Sequence, residues 1–122
     1  MRLIVTRDSV GPGDDVEAPH RVEMHAAEET TPSEVVSMIA RSTYLPLTVG
    51  GHATWSVVSN RPIAVIAQQW NEARMVSAIP VHMESLRYEG DALRVHVNCH
   101  AQQDPEAVLE VLGRLSIESF WG

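Results

Sequence analysis

The chain has 122 residues, 44% of them hydrophobic, and a formal net charge of −7. That length suits a single domain, 1–122, with one core, and the apolar content is too high for a disordered chain. The charge argues against nucleic acid, whose phosphates need a basic patch, and no apolar run approaches the roughly 20 residues that span a bilayer.

Residues 2–6, RLIVT, read as a strand with Leu3 and Val5 on one face. A long loop follows, DSVGPGDDVEAPH, Asp8 to His20, where a hairpin would take two to five residues. Residues 21–26, RVEMHA, resume the alternation, with Val22 and Met24 inward and Glu23 and His25 outward. Next comes TPSE. Thr31 is a good N-cap, Pro32 suits the first helical position, and Glu34 completes a capping box. The helix is expected to run to about Ser42, with Val35, Val36, Met38 and Ile39 as its apolar stripe.

Pro46 and Gly50-Gly51 break the connector that follows. ATWSVV, 53–58, is the next expected strand, 59–62 a turn, and IAVIAQQW, 63–70, a strand apolar on both faces and so covered on both. A further strand is expected over 74–79. Residues 82–88 and 92–99 should form a hairpin around Glu89-Gly90-Asp91. Asp104 and Pro105 open a second helix with Val108, Leu109, Val111, Leu112 and Leu115 as its expected buried stripe, and Gly113 is expected to end or weaken it. Antiparallel strands with two separate helices give an α+β domain, the helices on one sheet face. The opening hairpin and helix are β-grasp-like in order, an analogy of fold alone.

Chemistry-bearing residues are scattered. In HVNCH, His96, Cys99 and His100 are zinc-type ligands, but alternation sends Cys99 to the face opposite both histidines, so no metal is expected there. GPGDDVE does not match a calcium loop, and Gly50-Gly51-His52 lacks the lysine and spacing of a phosphate loop, so no cofactor is expected. Trp55 reads as a core anchor. Trp70, at the polar end of its strand, is a candidate partner anchor. The long loop offers Asp14, Asp15, Glu17 and His20, with Gly11-Pro12-Gly13 and Ala18-Pro19 restricting the backbone around the carboxylates.

Over roughly its first 70 residues the chain resembles a family of small bacterial proteins that opens R-D-S-V-x-x-G-D-D-x-x-A-P-H. Arg7, Asp8, Ser9, Val10, Gly13, Asp14, Asp15, Ala18, Pro19 and His20 fit that pattern. The resemblance brings no activity with it. Small acidic proteins of this kind are similar to the immunity partners of toxins.

The leading expectation is a cytoplasmic protein-binding module, an immunity-type inhibitor whose acidic surface steers a basic protein partner. The single Cys99 and the lack of a signal-peptide h-region in MRLIVTRDSV point to the cytoplasm. One alternative is a small enzyme or metal-binding protein using the His, Asp and Cys residues. Another is a homodimer whose exposed strand edge pairs with its twin.

Overall fold

A computed structural model of the chain describes residues 1–10, 20–46 and 51–121, with side chains as far as Leu115. The fold is α+β. Strands β1 (Arg2–Arg7), β2 (Val22–His25), β3 (Thr54–Ser59), β4 (Arg61–Ala67), β5 (Arg74–Met75), β6 (Tyr88–Glu89) and β7 (Ala92–Cys99) make one mixed sheet. Its order is β2-β1-β7-β3-β4-β5, and β6 pairs with β7 off that path. The β1–β7 pair is parallel, with Leu3 opposite Leu93 and Thr6 opposite His96, whereas the other pairs are antiparallel.

Helix α1 (Pro32–Arg41) starts where its cap predicts. Glu34 N–H donates to Thr31 Oγ1 at 3.3 Å, and Thr31 N–H donates back to Glu34 Oε1 at 3.1 Å, a complete capping box. Its buried residues, Val35, Val36 and Ile39, recur at helical spacing. They join Leu3, Val5, Trp55, Val57, Leu93, Val95 and Val97 in the core. Period-two alternation puts those strand residues on one sheet face, so α1 covers that face.

The second face is covered as well, so the two helices lie on opposite faces of the sheet and not on one face as the sequence led us to expect, because β4 is apolar on both sides. Helix α2 (Pro105–Trp121) packs on β4 and β3 with Val108 buried, whereas Val111 and Leu115, expected in the same stripe, are exposed. Ile63 through Ala67 are consequently buried on both sides of β4. Toward β1, charged side chains bridge the strands instead. Arg21 reaches Glu89 at 3.2 Å, Arg94 reaches the same carboxylate at 3.6 Å, and Arg2 meets Glu23 at 2.8 Å. The Arg21 hydrogen bond is the main reason the Glu89 carboxyl lies below its ordinary range.

Several boundaries differ from the sequence expectation. Helix α2 runs through Gly113, where a Cβ would sit 3.8 Å from the Val76 carbonyl, so the small residue lies against the 74–76 segment and does not end the helix. Residues 82–88 are not a strand. Met83–Ser85 form a 3₁₀ turn, with Leu86 N–H returning to the Met83 carbonyl, and β6 keeps only Tyr88 and Glu89. Strand β4 ends at Ala67, because Trp70 N–H folds back onto the Ala67 carbonyl at 3.0 Å. The 74–79 strand shortens to Arg74–Met75, followed only by a Val76 N–H bond to the Ile63 carbonyl. Asn60 alone (φ 63°) turns the chain between β3 and β4, a conformation that asparagine tolerates better than most residues.

Candidate functional site

The base of the long loop is where the opening motif does its structural work. Strand β1 ends at Arg7, and Asp8 follows. The Asp8 backbone N–H still bonds the Val97 carbonyl at 3.0 Å, extending the parallel ladder by one step. That fixes the Asp8 side chain over the end of β7. Its Oδ2 accepts the Cys99 backbone N–H at 2.8 Å, and its Oδ1 pairs with His96 Nε2 at 2.8 Å. Burial alone would raise the Asp8 carboxyl. The Cys99 N–H and the His96 ring outweigh it and leave the group below its ordinary range. A charged carboxylate only accepts, so in the neutral imidazole the proton sits on Nε2. Nδ1 then accepts from Thr6 Oγ1, 2.8 Å away. Thr6 and His96 are opposed directly by the β1–β7 register.

The two ends of the loop are tied together as well. Ser9 Oγ lies 3.0 Å from His20 Nε2. The Tyr44 hydroxyl donates to the His20 carbonyl, and His20 adopts φ 57°. Arg7 holds the same tyrosine from the other side. Its Nε donates to the Tyr44 carbonyl at 3.2 Å, its Nη1 donates to the Asp8 carbonyl at 3.0 Å, and its guanidinium stands 5.5 Å from the ring centroid. Arg7, Asp8, Ser9 and His20, all positions of the motif, thus fix the loop's entry and exit.

A second polar row lies beside the first. Asn98 Nδ2 donates to Ser56 Oγ at 3.4 Å, leaving the serine proton for His100 Nε2 at 2.7 Å. Burial holds the His100 imidazole below its ordinary pKa, partly offset by the charge of Asp8, so it is neutral at pH 7. A serine bonded to a neutral histidine is the first half of a nucleophilic site. Ser56 is only 1% exposed at mid-strand, however, and as placed it cannot meet a substrate. The row ties β3 to β7.

No family model, curated protein or solved structure matches the chain. The β-grasp likeness therefore stays an analogy of element order, and the site is read from its own geometry.

Of the residues proposed from sequence, Asp14, Asp15 and Glu17 lie outside the described residues. His20 sits in the loop clasp, as described. Trp70 is half-buried at the rim of an open groove of about 450 Å³ between α1 and β4, with the Arg74 guanidinium 4.0 Å over its ring. Trp55, Val36 and Ile66 line that groove but are themselves buried, so it offers little apolar surface. His96 and His100 share one sheet face. Cys99 packs toward the core on the other, its Sγ accepting from Ala101 N–H at 3.4 Å. Among the described residues no group of three or more His, Cys, Asp and Glu is placed to hold a metal ion. No helix among them is long and apolar enough to cross a membrane.

Thr6, Asp8, Ser56, Asn98 and Tyr44 were not singled out from sequence as site residues. Asp8 and Ser9 stood in the motif, and the alternation of Arg94, His96, Asn98 and His100 marked a polar row. Which residues would meet that row depended on strand pairing.

Proposed function

We propose that the protein is a binding module that presents the Asp8–His20 loop to a basic protein partner, in the manner of an immunity-type inhibitor. The observation that carries this reading is the clasp. Asp8 is bonded to β7 at two points, and Ser9, Tyr44 and Arg7 fix the exit at His20. A segment whose two ends are held loses less entropy on binding than one that is free. The loop sequence carries Asp14, Asp15 and Glu17 on a chain of net charge −7, which favours a cationic partner and speeds its encounter. Cytoplasmic location belongs to the same proposal.

The test compares wild type with Asp14→Asn/Asp15→Asn as baits in lysate of the native host, at low and at moderate salt. A basic protein held by wild type and lost from the double variant, with the larger difference at low salt, supports the reading. Equal retention by the two baits, or no retained protein at either salt, overturns it.

A further inference from the structure

We infer that the outer edge of β2 is a self-pairing surface, on which a second copy of this chain adds its own β2 antiparallel about a two-fold axis at Met24. Strand β2 ends the sheet order, and among the described residues it pairs only with β1. The ladder fixes which of its backbone groups are spare. Met1 and Ala26 exchange both hydrogen bonds, at 2.6 and 2.9 Å, and their register continues through Leu3–Met24 and Val5–Val22. In an antiparallel ladder bonded and non-bonded pairs alternate. Val22, Met24 and Ala26 therefore direct N–H and C=O toward β1, whereas Glu23 and His25 direct theirs to the open edge.

Two copies related by a two-fold axis at Met24 set Glu23 of one against His25 of the other, twice. Both residues offer outward backbone groups, so each pair can exchange two hydrogen bonds without disturbing β1. The side chains agree with that register. Glu23 and His25 are 49% and 70% exposed and lie 3.3 Å apart within one copy. Across the axis each acidic side chain faces an imidazole, not its own kind. On the other face Val22, Met24 and Ala26 pack at the margin of the core. In the pair Met24 meets Met24 and Val22 meets Ala26, which continues the core from one copy to the next. A short charged edge ordinarily prevents such pairing, because like charges meet. Here the order of carboxylate and imidazole makes the edge self-complementary, each Glu23 meeting a His25 and not a second carboxylate.

The register gives a sharp test. Met24 would form a non-hydrogen-bonded pair with itself, at a Cα separation of about 4.5 Å, within disulfide range. In the full chain carrying Cys99→Ala, Met24→Cys should give a covalent dimer on mild oxidation. Val22→Cys, opposed to Ala26 instead of itself, should not. Sedimentation equilibrium supplies a second reading. Glu23→Lys should raise the dimer dissociation constant by roughly 2- to 30-fold, from two opposed pairs at the usual strength of such contacts. Adding His25→Glu should restore it. A chain that stays monomeric at millimolar concentration overturns the inference, as does equal cross-linking of the two cysteine variants or dimerisation indifferent to Glu23→Lys.

Discussion

Asp8→Ala removes the two bonds that seat the loop entrance, and its cost can be built from the geometry. The bond from Cys99 N–H at 2.8 Å is charge-assisted and part-buried. Losing it leaves a backbone donor that only water can satisfy, worth about 1–2 kcal/mol. The His96 pair is also 2.8 Å long, but its side chains are 40% and 43% exposed, so solvent screens it to about 0.5–1 kcal/mol. The sum is about 2 kcal/mol. For a chain of 122 residues the entropy of unfolding makes each kcal/mol worth about 4 °C in Tm, so the variant should melt about 8 °C lower. Asp8→Asn keeps one acceptor for Cys99 N–H but turns an amide donor toward His96 Nε2, and should cost about half as much. Urea unfolding followed by tryptophan fluorescence, with the m-value checked for constancy, measures both. An Asp8→Ala variant within about 0.5 kcal/mol of wild type would refute the clasp, because bonds seen at 2.8 Å would then contribute nothing.

Three further outcomes follow from other parts of the molecule. Thr31→Ala removes the capping box of α1 and should lower stability by about 1 kcal/mol, read as a shift of the urea midpoint. Ala101 is held at φ 54°, where a Cβ costs about 1–2 kcal/mol, so Ala101→Gly should raise Tm by a net 2–4 °C, roughly, after the extra freedom of glycine in the unfolded chain is counted. The His100 pKa is depressed in the folded protein, so between that value and the unfolded 6.5 the unfolded chain binds more protons. The contribution of His100 is fully present above pH 6.5 and declines as pH falls through that window. Unfolding free energies from pH 8 to 5 should show a drop that is shallower in His100→Gln.

How much was legible in the sequence depended on the range of the interaction. The start of α1 was readable because the Thr31–Glu34 capping box closes within four residues. The faces of β7 were readable because alternation is local, so Val95 and Val97 fell to the core and His96 to the polar row. The partners of that row were not. Thr6 and Asp8 reach His96 across about ninety residues, through a parallel pairing that no short pattern announces. Gly113 misled for a related reason. Glycine is a helix stop by local propensity, but here Gly113 stays within α2, beside the Val76 carbonyl. The 82–88 segment was expected as the hairpin partner of 92–99, yet Ser59 Oγ captures Arg87 N–H and the 3₁₀ turn takes Met83–Ser85.

The parallel pairing of β1 with β7 also sets a timetable. The first strand cannot complete its ladder until residues 92–99 exist. At roughly 5–20 residues per second on the ribosome, the partner arrives about five to eighteen seconds later. During that interval Leu3, Ile4 and Val5, all buried in the finished domain, lack the β7 ladder and have β2 and α1 as their early neighbours. Closure of the sheet is thus a late event in folding, slowed further by the high contact order that such a long-range pairing imposes. A nascent chain stalled before residue 92 should remain protease-sensitive and bind holdase chaperones through its first strand, whereas the released chain should not.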